Sequence, residues 1–394
     1  MYKRSEYQVI KNRLNEERRF IQVLTGPRQV GKSTIVRQVL ADLDTPHEFY
    51  SADNIPATNN GWISNCWSAV RSLLEIKSYP SIVLVIDEIQ KVSNWSEAVK
   101  KEWDDDTFHG RNIKVLLLGS SRVLLERGLS ESLAGRFEEI RMGHWSFSEM
   151  RECFGFSLDQ YMYFGGYPGA APLIDDEERF QHYIQSSIID ATINKDILID
   201  TPIGKPALLR QTFELGAAYS GQELSLNKML GTLNNAGNTS TLAGYLSLLN
   251  DSGLICGLHK FIIDAARRRA SIPKFQVYNN ALKTVFSPLT FEQAVRDRSE
   301  WGRIFESGIG TYLVNQAFVH RFDVFYWREN SHEVDYILRR KGSVIAIEVK
   351  SNAERCSSGL ELFKQKFNPR TAFVVGYNGI DAEEFLGLEL TRLF

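Results

Sequence analysis

The sequence has few cysteines, almost no net charge and no long apolar run. Its four cysteines, at positions 66, 153, 256 and 356, are far apart and form no CxxC pair, which argues against disulfides or a zinc site and indicates a reducing interior. Because the net charge is −2, any nucleic-acid surface has to be a local basic patch. No apolar stretch reaches the length of a membrane span, and residues 1–6 lead into a polar segment unlike a signal peptide. We therefore expect a cytoplasmic protein without a membrane partner.

The remaining composition is that of an ordinary globular protein. Of the 394 residues, 43% are hydrophobic and 24% are charged. This is enough apolar material for more than one core, and the length predicts two to four domains.

A glycine-rich loop near the N-terminus predicts nucleotide binding. Residues 26–34 fit the pattern G-x-x-x-x-G-K-S, between a β-rich run and a segment with helical apolar spacing. In such a loop, backbone N–H groups and the helix N-terminus surround phosphate oxygens. We predict that Lys32 reaches the β and γ phosphates of ATP and that Ser33 ligates Mg²⁺. The candidate ATP-binding residues are Gly26, Pro27, Arg28, Gln29, Val30, Gly31, Lys32, Ser33 and Thr34.

A second apolar run ends in two carboxylates. Residues 82–86 are continuously apolar and are followed by Asp87 and Glu88, which is typical of a buried parallel strand that presents acids at its C-terminal end. We predict that Asp87 belongs to the Mg²⁺ shell and that Glu88 polarises the attacking water. This ending favours ATP hydrolysis over simple nucleotide binding.

Three further residues are candidates for this site. Ser120, or else Ser121, follows the apolar run 113–118 and is similar in position to the γ-phosphate sensor of AAA-type ATPases; an ordinary strand-to-helix cap is the alternative. Arg136 ends a helical segment before the strand 137–141. It is a candidate arginine finger for a neighbouring subunit of a homo-oligomer, the alternative being a surface cation favoured by the helix dipole.

Five stretches resemble one family. G-P-R-Q-V-G-K-S-T, V-I-D-E-I-Q, L-L-G-S-S, S-L-A-G-R and W-S-F-S-E look like the predicted AAA-type ATPases of bacteria and archaea that carry a C-terminal region of unknown function. The resemblance covers essentially the whole chain. It implies an α/β fold with a five-stranded parallel sheet between helices. We expect an AAA-type ATPase domain over residues 1–150, a helical lid over 151–204, a winged helix over 205–285 and a restriction-endonuclease-like domain over 286–394.

The winged-helix prediction rests on three short helices followed by two strands. The third helix, residues 240–249, has no Lys or Arg and is poorly equipped to read a DNA groove, so protein–protein packing is favoured. The positive charge lies in the wing, residues 260–274. Any DNA contact there would be made to phosphates and would weaken steeply with salt. The wing cations are Lys260, Arg267, Arg268, Arg269 and Lys274.

The last segment has the element order α-β-β-β-α-β, which resembles the PD-(D/E)xK core of restriction endonucleases and junction resolvases. If Lys341 and Gly342 form a two-residue turn, Arg340 pairs with Ser343, and Asp335 falls opposite Glu348.

Strand alternation then places Lys350 on the face that Glu348 and Asp335 share. Adjacent carboxylates need a cation between them, which predicts a second Mg²⁺ site at Asp335 and Glu348 with Lys350 at the phosphate. Glu306 is a further ligand or positions water. The alternative is a structural sheet with a surface ion pair between Glu333 and Lys350.

The sequence therefore predicts an ATP-hydrolysing switch that positions a nuclease-like domain on DNA or on a protein partner. Two alternatives remain open. One is a Mg²⁺-dependent DNA nuclease gated by ATP, and the other is a nucleotide-dependent signalling or scaffold protein whose nuclease-like fold is inactive.

Overall fold

The computed structural model of the protein describes residues 2–59, 61–119, 129, 132–198, 203–233, 237–262, 271–352 and 358–394. The chain divides into two compact units, Met1–Met142 and Gly143–Phe394. The predicted sensor residues Ser120 and Ser121 lie outside the described residues, as do three wing cations, Arg267, Arg268 and Arg269. The further division of the second unit into lid, winged helix and nuclease-like domain stays a prediction.

The first unit alternates helices and strands. Its helices are α1 (Glu6–Asn15), α2 (Lys32–Ala41), α3 (Gly61–Ile76) and α4 (Trp95–Phe108), and its strands are β1 (Ile21–Thr25), β2 (His47–Ser51), β3 (Ile82–Asp87), β4 (Ile113–Gly119) and β5 (Phe137–Arg141). The strand order is β2-β3-β4-β1-β5, and every neighbouring pair is parallel. This confirms the predicted α/β fold with a five-stranded parallel sheet.

Helices cover both faces of this sheet, and this explains why the central strands β3, β4 and β1 are almost entirely buried. In β3, Leu84 and Ile86 pack with side chains of α3 and α4 on one face. Val83 and Val85 pack with side chains of α1 and α2 on the other. Polar groups are therefore concentrated where the strands end.

The second unit begins with helices and ends with most of its strands. Its helices are α5 (Phe147–Phe154), α6 (Leu158–Phe164), α7 (Glu177–Tyr183, continued by π-helical turns at Ile184–Asp190 and Thr192–Ile197), α8 (Pro206–Ala218), α9 (Leu226–Thr232), α10 (Thr239–Asp251), α11 (Ala281–Thr284), α12 (Phe291–Arg296), α13 (Arg298–His320), α14 (Ser358–Phe367) and α15 (Ala382–Leu386). Its strands are β6 (Ile255–Lys260), β7 (Lys274–Val277), β8 (Asp323–Glu329), β9 (His332–Arg340), β10 (Ser343–Lys350) and β11 (Thr371–Gly376). No helix among the residues described has both the length and the apolar character of a membrane span.

The six strands form one sheet in the order β11-β10-β9-β8-β6-β7. β9 and β10 are antiparallel, and their ladder runs from Arg340–Ser343 to Tyr336–Ile347. The turn residues Lys341 and Gly342 have φ values of 47° and 87°. A two-residue hairpin turn of type I′ requires positive φ at both of these positions. The predicted turn and its register are confirmed.

The two strands predicted as a wing take part in this larger sheet. β6 pairs with β7 as predicted, but it also pairs in parallel with β8 through His259–Phe325 and Lys260–Tyr326. β6 therefore lies inside the sheet, with residues 255–258 paired to β7 and residues 259–260 paired to β8. The predicted helices α8, α9 and α10 precede β6 as expected, and the winged helix itself stays a prediction.

The hairpin turn gives a stability test. Gly342→Ala should lower stability by about 1 kcal/mol, because an L side chain is strained at positive φ even though nothing lies within 4 Å of the added Cβ. The matched control is Gly244→Ala in α10, where a Cβ also meets nothing within 4 Å and where helix propensity predicts a gain of about 0.5–1 kcal/mol. Urea unfolding of both variants measures the difference. Equal effects would contradict the assigned turn.

Candidate functional sites

The glycine loop connects the end of β1 to the start of α2. Gly26 approaches the end of β5 so closely that a Cβ there would lie 2.3 Å from the carbonyl oxygen of Met142, and only glycine fits. Gly31 begins α2 with φ +94°, and a Cβ at this position would meet nothing within 4 Å. The loop therefore leaves open space at the helix N-terminus, where phosphate groups bind.

Lys32 is only 6% exposed, and its ammonium group lies inside this loop. It donates hydrogen bonds of 2.9 Å to the carbonyl oxygens of Gly26 and Pro27. Both acceptors are neutral, whereas phosphate oxygens are charged and accept stronger hydrogen bonds. The loop thus fits a nucleotide phosphate, with Lys32 as its cation.

Ser33 and Asp87 are in direct contact although they are far apart in the sequence. The hydroxyl of Ser33 donates to Oδ2 of Asp87 at 2.6 Å. Burial raises the pKa of the Asp87 carboxyl above its ordinary value, and the hydrogen bond from Ser33 opposes this shift. A hydroxyl and a carboxylate are the oxygen ligands that Mg²⁺ takes beside nucleotide phosphates, so these two residues fit the predicted ion.

Glu88 directly follows and has φ +52°, which is uncommon for a residue other than glycine. Its backbone N–H donates to Oδ1 of Asp87 at 3.0 Å, and Gln90 donates to its Oε2 at 2.5 Å. The turn thus carries the chain sharply away from β3 while a glutamine holds the Glu88 carboxylate. The sequence analysis did not identify Gln90 as a partner of Glu88. Its position two residues after Glu88 in V-I-D-E-I-Q could have indicated it.

Arg4 is a further residue that the sequence did not indicate. Its side chain is buried, and its guanidinium donates to the carbonyl oxygen of Val30 at 3.3 Å. This hydrogen bond connects the N-terminal segment to the glycine loop. A single arginine in a polar N-terminal segment carries no signal that would have identified it.

Arg136, the candidate arginine finger, forms a two-point ion pair within its own unit. Its Nε and second terminal nitrogen donate to the two carboxylate oxygens of Asp104 at 2.8 and 3.0 Å. About a third of the Arg136 side chain remains exposed. The residue is therefore restrained but accessible.

A second site lies in the second unit and brings together distant parts of the chain. Lys274 of β7 places its ammonium group 2.5 Å from Oε1 of Glu306 and 3.9 Å from Oδ1 of Asp335. It also donates to the backbone oxygen of Asp335 at 3.2 Å, and it lies 4.7 Å from the ring centre of Tyr336. The prediction that Lys274 belongs to an exposed basic wing is wrong, because the residue is only 6% exposed and serves as the internal partner of carboxylates.

The other predicted residues of this site lie on the hairpin. Asp335 and Glu348 are both buried and stand one step beyond the last ladder pair, Tyr336–Ile347. Oδ2 of Asp335 accepts a hydrogen bond of 2.7 Å from the N–H of Val349. The ammonium group of Lys350 lies 3.1 Å from Oε1 of Glu348. We call Glu306, Asp335 and Glu348 the carboxylate cluster.

The charges of Lys274, Glu306 and Asp335 influence one another. Burial lowers the pKa of Lys274, but the negative charges of Glu306 and Asp335 outweigh this effect and raise the pKa overall. Burial also raises the pKa of Glu306 to about 7, with Lys274 opposing the shift. Among the described residues, no group of three or more His, Cys, Asp or Glu side chains is arranged to hold a metal ion.

Two solved structures resemble the chain weakly. An ORC1 protein of Aeropyrum pernix in complex with DNA is 12% identical with a TM-score of 0.32, and the match covers 73% of this chain and 92% of that one. A katanin structure described for its self-assembly is 18% identical with a TM-score of 0.27, over 40% of this chain and half of that one. At these scores neither likeness carries a functional conclusion.

Two relatives can be aligned with most of the chain. An uncharacterized protein of Haemophilus influenzae is 22% identical over 348 residues, which cover 84% of this chain and 82% of the relative. An uncharacterized protein of Methanocaldococcus jannaschii is 24% identical over 337 residues, covering 81% and 72%.

Family models match three successive parts of the chain. Residues 155–293 match a domain of unknown function (DUF8612), and residues 301–387 match another (DUF4143). Residues 18–151 match the model of an AAA domain, and they contain the glycine loop, Asp87 and Glu88. The part of the chain that contains the parallel sheet and the glycine loop is therefore similar to an AAA domain.

Proposed function

We propose that the protein binds ATP with Mg²⁺ in its first unit and hydrolyses it to drive a conformational or assembly switch. The observation that carries this proposal is the convergence of Lys32, Ser33, Asp87 and Glu88 at one edge of the parallel sheet. The family match of residues 18–151 supports it.

The chain's own residues have distinct roles in this reaction. Lys32 exchanges its two carbonyl acceptors for phosphate oxygens, and the backbone from Gly26 to Thr34 surrounds them. Ser33 and Asp87 would hold Mg²⁺, which neutralises phosphate charge when bound. Glu88 orients the attacking water and accepts its proton. Gln90, which hydrogen-bonds to Glu88, positions that carboxylate.

Two further residues complete the proposal. Ser120, which follows the apolar run 113–118 in the sequence, is proposed to contact the γ-phosphate or the attacking water. Arg136 is proposed to act in a neighbouring copy of the chain, which would require a homo-oligomer and release from Asp104. The accessible third of its side chain is compatible with such a contact.

The switch is proposed to position the second unit on DNA or on a protein partner. Lys274, one of the wing cations that the structure describes, is buried and therefore not accessible to DNA phosphates. Two activities can be assigned to the nuclease-like hairpin. Cleavage is supported by Asp335, Glu348 and Lys350 on one hairpin, and partner binding without cleavage is supported by Lys274 beside the carboxylates. We favour binding without cleavage.

The ATPase proposal predicts a separation of binding from hydrolysis. Lys32→Ala should abolish ATP turnover and weaken ATP binding, because it removes the cation of the phosphate loop. Glu88→Gln should retain binding but lower kcat by about 10²-fold or more, because it removes the base. Steady-state phosphate release and equilibrium binding of labelled ATP measure the two effects.

The matched control is Lys101→Ala, which removes an exposed lysine from α4 in the same unit. It should leave both measurements unchanged. ATP turnover that survives Lys32→Ala would refute the assigned site.

The proposal for the hairpin predicts no DNA cleavage. Purified protein with ATP and Mg²⁺ should leave single-stranded, duplex and branched DNA intact, because an ammonium group stands beside the predicted metal ligands. Gel analysis of labelled DNA measures this. Cleavage that disappears in Asp335→Ala or Lys350→Ala would instead establish an ATP-gated nuclease with Glu306, Asp335, Glu348 and Lys350 as its site.

A further inference from the structure

The carboxylate cluster contains a cation supplied by the chain itself. The nitrogen of Lys274 has oxygen neighbours from both Glu306 and Asp335, and one face of the ammonium group lies against the ring of Tyr336. A buried ammonium group is tolerated only when such partners compensate its lost hydration. The lysine and the carboxylates therefore depend on each other.

The backbone of Lys274 is fixed from both sides. It pairs with Leu258 of β6 on one side and with Glu223 on the other. The adjacent residue Phe275 donates its N–H to the carbonyl oxygen of Gln222 at 2.9 Å. This pairing holds the backbone of Lys274 in place, and the contacts of its ammonium group with Glu306 and Asp335 hold the end of the side chain.

The neighbours of the Lys274 nitrogen are of the type that a hard divalent cation takes. They are two carboxylates and a backbone carbonyl. A divalent ion among the same oxygens would lie close to the ammonium charge, and like charges at that distance repel strongly in a buried site. The second oxygen of Asp335 already accepts the N–H of Val349, and Glu348 lies against Lys350.

We propose that Lys274 is a built-in cation that occupies a latent divalent-metal site formed by Glu306 and Asp335, and that it excludes metal ions from the nuclease-like hairpin. This inference rests on the part of the proposed function in which the hairpin binds a partner without cleaving it. It adds the reason: the chain keeps the carboxylate arrangement but fills its centre with a lysine.

The test is to remove the charge of Lys274 and ask whether Mn²⁺ takes its place. Lys274→Met should have a lower Tm than the unaltered protein without metal, because it leaves the buried carboxylate of Asp335 and the partly buried one of Glu306 without their cation. Mn²⁺ at about 100 times its Kd should then raise the Tm by about 5 °C or more. The unaltered protein should show no such shift. Thermal unfolding in mildly alkaline buffer without nucleotide and Mn²⁺ binding followed by electron paramagnetic resonance give two readouts.

Two controls separate the metal site from general effects. Lys283→Met removes another buried lysine of the same unit, one that donates to the carbonyl oxygens of Ala218 and Ser220, and should gain no Mn²⁺ response. Adding Asp335→Asn to Lys274→Met should abolish the gained response. Lys274→Gln keeps a hydrogen-bond donor without the charge and serves if the methionine variant does not fold.

Three results would overturn the inference. They are Mn²⁺ binding by the unaltered protein that is lost in Asp335→Asn, a folded Lys274→Met or Lys274→Gln that gains no Mn²⁺ response, and an equal response in Lys283→Met. None of them bears on ATP turnover, so failure of this inference is distinguishable from failure of the ATPase proposal, which Lys32→Ala tests.

Discussion

The hydrogen bond from Ser33 to Asp87 depends on the parallel order of the strands in the first unit. β1 and β3 lie on either side of β4 and run in the same direction, so their C-terminal ends meet at one edge of the sheet. Ser33 follows β1 through the glycine loop, and Asp87 is the last residue of β3. Helices on both faces bury the central strands, and the carboxyl ends of the parallel strands bring Ser33 and Asp87 together at this edge. Packing of the core therefore determines where the chemistry takes place.

The second unit brings charges together by a different route. Its site combines β7, α13 and the β9–β10 hairpin, which are distant from one another in sequence and meet because all six strands join one sheet while α13 packs beside it. Carboxylates from a helix and from a strand then come close to a lysine from an edge strand. In the first unit one topology rule explains the site, whereas here the site follows from long-range pairing of the whole sheet.

This difference decides what the sequence could predict. The glycine loop is contiguous, and the acids that end β3 follow an apolar run, so both could be recognised locally. The register of β9 and β10 was also predictable, because the turn at Lys341 and Gly342 determines it. The partners of Lys274 were not predictable. A lysine at the start of a short strand beside a basic stretch looks exposed, and its partners come from α13 and β9, which only the folded sheet brings beside β7. Arg4 had no local signal either, because its partner Val30 is 26 residues away in the sequence.

Lys32 and Lys274 show how the same side chain serves two purposes. Each is buried and bonded to oxygen. Lys32 donates to two neutral carbonyl oxygens of its loop, whereas Lys274 donates to the Glu306 carboxylate and to the backbone oxygen of Asp335, and lies 3.9 Å from the Asp335 carboxylate. Exchanging a neutral acceptor for a phosphate oxygen strengthens the hydrogen bond, since charge-assisted bonds are about twice as strong as neutral ones. If Lys274 exchanged its carboxylate partner for a phosphate oxygen, the new hydrogen bond would be no stronger, and the carboxylate would be left without its cation. The acceptors of Lys32 therefore suit a ligand that comes and goes, and those of Lys274 suit a permanent pair. On these two proposals, the kind of oxygen around a buried lysine distinguishes a lysine that would bind a ligand from one that would take the place of a metal ion.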